Sequence, residues 1–495
     1  MDFLFAGVPY PGGSPQAILD VSMPVSRPFG SVRSDAQPLA QVRQESASSI
    51  QALAAWAASA TPAGNMRAME RAATILADDI AAIVAAAGEP ALRAMRQGTM
   101  SAEGEATIFG VPGGARATAR DAAMLNGLSA TWCELDEGAR SVPCHAGAYV
   151  LPALSAEAER LNLSTGQMLE RLAVAYEFVV RVARAYPFSS MRVHPHAAFA
   201  TLGAAVATSL ARGHDETHLL LSASGGVTMA FSGPYGHAVE GVMIRNGWTA
   251  ASTMVGYLCA DLAEAGVGGI AESFYDALAG CLGSGYAPMD LETLGTDWAV
   301  LDGYHKIYAC CQYAHAAIEA SLALREAAGI TLDRVEMIDS ILVETHPRGE
   351  TLTTVEPRTS LAAKFSMPHA AAAAAVFGTG GRVAFDEASL GNPQVARLRG
   401  RVTIRAHPSI GPWPNDRPSR VTWILSDGRR VSRECVSAVG GTDRPFERAA
   451  LERKFSELTS QAHPRMPTVL SRVIDGEVET LARPWRETVD IMVER

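Results

Sequence analysis

Three observations predict a mainly helical protein that carries a smaller α+β portion. Alanine is abundant while aromatic residues are only 6% of the chain. That bias favours close-packed helices, because alanine has the best helix propensity and lets helix axes approach. From residue 46 to about 295, apolar residues recur at three and four, the helical period. Beyond about 296, β-branched runs and an Asp-Gly turn appear between helical stretches, the texture of an α+β unit. At 495 residues the chain is too long for one ordinary core, so two domains are expected.

Taken in order, residues 1–45 hold several prolines and glycines without a sustained period and read as an extended N-terminal arm. Residues 46–295 read as an all-helical domain, with helices over Ser48–Ala60, Met66–Ala86, Ser155–Tyr186, Ala198–Arg212 and Trp248–Glu264. Glycine and proline clusters at 110–114 and 232–236 break the pattern. Residues 296–440 read as the α+β domain. Strands are expected over 335–345 and 401–406, with a hairpin of Val421–Leu425 and Arg429–Cys435 around Asp427-Gly428. Helices fall at Ala316–Ala328 and Pro368–Phe377. Residues 441–495 return to helix and are expected to complete the first domain.

A net charge of −10 argues against nucleic acid, which needs a basic stripe to release counterions. It leaves room for an anionic substrate, because a pocket can be locally basic on an acidic protein. Seven cysteines at irregular spacing are no disulfide framework and point to a reducing compartment. The N-terminus lacks a basic region and its apolar run breaks at proline. No run reads as a transmembrane segment. A cytoplasmic protein without a membrane partner is expected.

Four islands carry candidate chemistry. Cys133-Glu134-Leu135-Asp136-Glu137-Gly138 is followed by Arg140 and His145. Carboxylates this close repel, which can raise the pKa of one and make it an acid or base; the bland alternative is a solvated acidic loop. His194-Pro195-His196 precedes the small-residue run Leu202-Gly203-Ala204-Ala205, so an imidazole stands at the mouth of a tightly packed helix. Its bland alternative is a capping or core histidine. Arg245, in Gly241–Ala251, can hold a carboxylate with two hydrogen bonds but cannot donate a proton near neutrality; a surface arginine is the alternative. The densest island is 304–315, YHKIYACCQYAH, where Lys306, Tyr308, Cys311 and His315 meet at a loop-to-helix junction. Adjacent cysteines without a second spaced pair make no metal cage. A desolvated lysine loses basicity, so Lys306 is a candidate carboxylate ligand or proton carrier; its bland alternative is a snorkelling lysine. His305 reads as an exposed neighbour.

These islands resemble, in order, the elements of the MmgE/PrpD family. That family includes 2-methylcitrate dehydratases, cis-aconitate decarboxylases and iminodisuccinate epimerases. The acidic island resembles D-F-D-D-T followed by a histidine, with Glu134 for the first Asp, Gly138 where Thr is common, and Cys144-His145 near the usual His-Pro. The second resembles H-P-x-x-x-x-x-x-L-G-A-A-x-A, and the third K-x-L-H-x-G-x-A-A with Val242 and Arg245 at the Lys and His positions. The fourth resembles K-x-x-P-x-C-x-x-x-H, and Ala363-Lys364-Phe365-Ser366-Met367-Pro368 resembles A-K-F-S-x-P, where Lys364 reads as structural. The resemblance covers residues 45–440. It implies a large helical domain with a smaller α+β domain, usually a homodimer, and chemistry beside a carboxylate.

By that resemblance His194, Lys306, Glu134, Asp136 and His145 are expected to be catalytic. Arg245, Tyr308, Cys311, His315 and Arg140 are expected to bind substrate. The sequence shows no G-x-G-x-x-G, Walker loop, H-E-x-x-H or iron–sulfur spacing, so neither metal nor cofactor is expected. The function implied is a cofactor-independent, dehydratase-type lyase for a small di- or tricarboxylate. Epimerisation of an amino- or imino-dicarboxylate comes next, then decarboxylation, then a non-catalytic binding protein.

Overall fold

A computed structural model describes residues 39–100, 104–329 and 332–494. The first principal helix, α1 (Leu39–Ser59), takes in the last residues of the expected arm; the rest of that arm lies outside the described residues. Following it are α2 (Met66–Ala85), α3 (Ala119–Ala130), α4 (Ala146–Leu161), α5 (Thr165–Ala185), α6 (Pro195–Ala211), α7 (Glu216–Thr228) and α8 (Ile244–Glu264).

The single helix expected over Ser155–Tyr186 is two helices, α4 and α5. Asn162 turns into the left-handed region at φ 57°, which ends α4. Ser164 and Gln167 then cap each other's backbone at the start of α5. Apolar periodicity runs through this break, and only the cap chemistry marks it. The helical stretch also holds short strands that its period hides. β1 (Ala106–Ile108) pairs with β2 (Ala115–Ala117), and β3 (Gly138–Ala139) pairs across the fold with β4 (Gly303–Tyr304).

Close approach of α6 to its neighbours follows from its small residues. All 17 of its residues are buried. A Cβ on Gly203 would lie 2.7 Å from that of Tyr149 on α4, and one on Gly256 of α8 would lie 2.4 Å from Ala204. Larger residues would force these helices apart.

The remaining mixed portion is built on β5 (Ile338–Thr345), β6 (Val402–Ala406), β7 (Ser419–Leu425) and β8 (Arg430–Cys435), in spatial order β6-β5-β7-β8. β5 and β6 are parallel, and the other pairings are antiparallel. Gly428, at φ 83°, makes the β7–β8 turn. Helices α9 (His315–Ala328) and α10 (Met367–Phe377) cover the sheet. Finally α11 (Arg448–Thr459), α12 (Met466–Ile474) and α13 (Trp485–Val493) pack back on α2, α4 and α5. Trp485 donates its indole N–H to Ser155 at 3.0 Å.

Buried apolar residues form two clusters. One joins the helices of the first half to those at the end of the chain, and the other surrounds the mixed sheet. No helix among the described residues is long and apolar enough to cross a membrane.

Candidate active site

The cavity of interest opens where several helices begin beside the β3–β4 pair. Counted with its open mouth, it offers about 540 Å³ of space. Of the residues singled out in the sequence, Glu134, His145, His194, Arg245, Lys306 and Cys311 line it. Asp136 sits one layer behind, fully buried.

Segment 131–137 is held from several sides. Arg245 donates to the Thr131 carbonyl at 3.2 Å, Lys364 to Trp132 at 2.7 Å, and Lys454 to Leu135 at 2.9 Å. The Glu137 amide donates to Asp79 Oδ1 at 3.1 Å. Within the segment Glu134 adopts φ 53°, a left-handed conformation that a side chain takes only under surrounding constraint. The island is therefore a buried, fixed loop and not a solvated acidic one.

His145 is the N-cap residue of α4, and its Nδ1 lies 2.7 Å from both Asp136 Oδ2 and the Glu137 carbonyl oxygen. Both are acceptors, so Nδ1 carries the proton and Nε2 is left with its lone pair. His194 is arranged the opposite way. As N-cap of α6 its Nδ1 accepts the His196 amide at 3.1 Å, which leaves Nε2 as an N–H donor. Burial, then the Arg245 and His145 charges, hold His194 well below the ordinary histidine pKa, so it stays neutral. Its ring stacks on Tyr235 at 5.6 Å. His196, beside it, accepts or donates at the Tyr149 hydroxyl, 2.8 Å away.

Lys306 Nζ stands 3.5 Å from Asp136 Oδ1 and 3.8 Å from Glu134 Oε2. Burial alone would lower its pKa, but Asp136, Tyr304 and Glu134 outweigh burial and raise it. The expectation of a lysine made less basic by desolvation is thus corrected: Lys306 is a fixed cation. Asp136 is its counterpart. Burial opposes its charge, but Lys306, His145 and Arg245 hold it ionised, below the usual carboxylate range. Arg245 is buried, not a surface group, and pairs with Glu134. Burial pushes the Cys311 thiol up to about 11, so at neutral pH it is a protonated wall and no thiolate.

Three expected site residues lie elsewhere. Tyr308 packs on Gly380, whose added Cβ would meet its ring at 2.5 Å, inside the second apolar cluster. His315 faces the same way, edge-on to Tyr308 at 5.2 Å and 3.2 Å from the Cys310 carbonyl oxygen. Arg140 pairs with Asp416 at 2.5 Å and also donates to Pro414. His305, expected to be exposed, is buried with Nδ1 3.1 Å from Asp78. A dense run of polar residues in a loop does not tell which side each faces.

Sequence reasoning missed Arg417, Tyr313, Tyr235 and Tyr304, all of which line the cavity. Arg417 lies over the Tyr313 ring at 5.1 Å, pairs with Gln312, and shares Asp416 with Arg140. Burial and the Arg140 charge lower its pKa to about 10, which still leaves it charged at neutrality. Two guanidiniums at one carboxylate leave positive potential on this wall. Among the described residues no group of three or more His, Cys, Asp or Glu is placed to hold a metal ion.

Behind the cavity Glu137 accepts from the Gly147 amide at 2.8 Å and from Tyr176 at 2.9 Å. Burial first, then the Asp136 and Asp78 charges, push its pKa up to about 8 against those two bonds. A carboxyl whose folded pKa exceeds its unfolded one stabilises fully below the unfolded value, and that contribution is lost as pH rises to the folded value. Stability is therefore expected to fall between about pH 4.5 and 8 by on the order of a few kcal/mol. Glu137→Gln keeps an acceptor for Gly147, so its urea midpoint should change less over that window. An equal fall in both proteins would remove Glu137 as the cause.

Two family models match the sequence. The MmgE/PrpD N-terminal domain model covers residues 30–285, and the MmgE/PrpD C-terminal domain model covers residues 308–475. No curated protein matches it.

Proposed function

The chain belongs to the MmgE/PrpD family, a family of dehydratases and related enzymes, and from that premise we propose that it is a hydro-lyase for a small di- or tricarboxylate. The observation that carries the reading is the Asp136–His145 pair at a cavity walled by Arg245, Lys306 and Arg417.

His145 Nε2 is the base. The Glu137 carbonyl accepts the Nδ1–H and holds the ring, and Asp136, 2.7 Å from Nδ1, stabilises the imidazolium that forms when Nε2 takes a proton from the carbon beside a carboxylate. Arg245, Lys306 and Arg417 hold the substrate carboxylates and oppose the charge that grows on the enolate. His194, neutral, donates its Nε2–H to an enolate oxygen, as a neutral imidazole can where an imidazolium is not stable. The C–H electron pair becomes the new double bond while the C–O bond breaks with its electrons on oxygen. The departing hydroxyl takes the proton held by His145 and leaves as water, which returns the enzyme to its starting state. Inversion through the same carbanion is the second reading, favoured by the presence of a second ring nitrogen at the cavity, on His194.

Proton NMR in D2O tests both readings with citrate, 2-methylcitrate, cis-aconitate, iminodisuccinate and simple 2-hydroxy diacids. An olefinic resonance with loss of the hydroxylated acid is the expected result. Deuterium entry with the formula otherwise retained would replace dehydration by inversion. A panel left unchanged would overturn both.

A further inference from the structure

Gly138 and Tyr304 face each other across the β3–β4 pair. A Cβ on residue 138 would fall 2.7 Å from Tyr304 Cε1, 2.8 Å from its hydroxyl oxygen and 2.9 Å from Cζ. Real side chains do not approach so closely, so the phenol lies over the glycine where any other residue would sit. Gly138 is not among the glycines with positive φ. Backbone freedom therefore does not call for glycine here, whereas the space taken by the Tyr304 ring does.

The space is used to put a hydroxyl at the cavity. Tyr304 is 7% exposed and lines the same wall as Lys306, with its ring 6.4 Å from that of His145. Burial, opposed by Lys306, raises its pKa, so the phenol keeps its proton. No group among the described residues hydrogen-bonds this hydroxyl. A nearly buried phenol ordinarily has a partner, and at this position an occupant of the cavity supplies it. Carboxylates are matched by the three cations. A neutral phenol, able both to donate and to accept, matches a neutral hydroxyl.

We propose that Tyr304, seated by Gly138, is a specificity-determining residue that hydrogen-bonds the hydroxyl of a hydroxy-carboxylate, so that the site selects hydroxylated acids over their deoxy analogues. This rests on the carboxylate reading above and adds what distinguishes one carboxylate from another. A site built to pair a substrate hydroxyl discriminates strongly against the analogue without it, because the site's own polar group is then left unpaired.

Calorimetric titration tests the assignment without requiring turnover. The probes are malate against succinate and citrate against propane-1,2,3-tricarboxylate, each pair differing by one hydroxyl. Wild-type protein is expected to prefer the hydroxylated member by about tenfold or more. In Tyr304→Phe the preference should fall to about threefold or less, with affinity for the deoxy acid unchanged. Gly138→Ala keeps the phenol but displaces the ring, so it should lose the preference in the same way; it carries the test if Tyr304→Phe fails to fold. A preference retained in the variants, or absent from the wild type while both acids bind, overturns the role of Tyr304 and leaves the carboxylate reading standing. Wild-type protein that binds none of the four acids overturns both.

Discussion

In His145→Gln, turnover is expected to drop by about 10³-fold while the folded state survives, the scale on which a positioned general base acts. The argument rests on which ring nitrogen is engaged. Nδ1 meets two acceptors, Asp136 and the Glu137 carbonyl, so the amide of glutamine can replace that donor but offers no base at Nε2. The side chain is 17% exposed, so its replacement leaves no sealed void in the core. His194→Leu makes the informative contrast. It removes a neutral donor and leaves the base in place, and a single lost donor lowers kcat by about 10²-fold or more. Steady-state kinetics with the acid that reacts in the D2O panel, alongside far-ultraviolet circular dichroism, reads both. A His145→Gln enzyme as fast as wild type would remove His145 as the base.

Lys306→Met should abolish turnover and also cost about 3–5 kcal/mol of stability at neutral pH, because breaking a buried ion pair leaves charge without its partner. The separations of 3.5 and 3.8 Å to Asp136 and Glu134 place the cost toward the lower end. Its pH dependence has a definite sign. In the wild type the folded pKa of Asp136 lies below the unfolded one. That difference stabilises above the unfolded pKa and is lost as pH falls through the folded value. Removing Lys306 takes away the first-named charge that sustains the depression. The gap between variant and wild type is therefore widest near pH 7 and narrows below about pH 4, where Asp136 in the variant protonates. Urea unfolding at the two pH values measures this. A gap that is constant with pH would show that Lys306 acts through packing and not through charge.

The site residues that could be read from the sequence share a position in the chain. His145 and His194 are helix N-cap residues, Arg245 is in the first turn of α8, and Lys306 follows a short strand. At such points local sequence already constrains the backbone, and a few neighbouring residues identify the element. Arg417 stands in an irregular segment and Tyr235 precedes a helix of only five residues (Gly236–Glu240), where no period or motif indicates which way a side chain points. The same limit misplaced Tyr308 and His315. Both are polar and follow Lys306 by two and nine residues, but they turn into the second apolar cluster. The charge state of Lys306 was illegible for another reason. Its basicity depends on Asp136, 170 residues earlier, and only the folded chain sets that distance. Helix content was legible almost throughout, because apolar periodicity is local; the pairing of β3 with β4 was not, since its strands are two residues long.

The carbonyl contacts of residues 131–137 bear on when this protein becomes active during its synthesis. Lys364 grips Trp132 and Lys454 grips Leu135 while also meeting Asp78 at 2.6 Å. On the ribosome, residue 135 emerges long before residue 454, and N-terminal regions begin to fold first. The early helices can therefore collapse around α6 while the acidic segment still lacks its later fasteners. A nascent chain at that stage holds Glu134, Asp136 and His145 without the contacts that fix their geometry. Competence thus waits for the helix that carries Lys454 to join the fold, and the growing chain is spared a half-built catalyst.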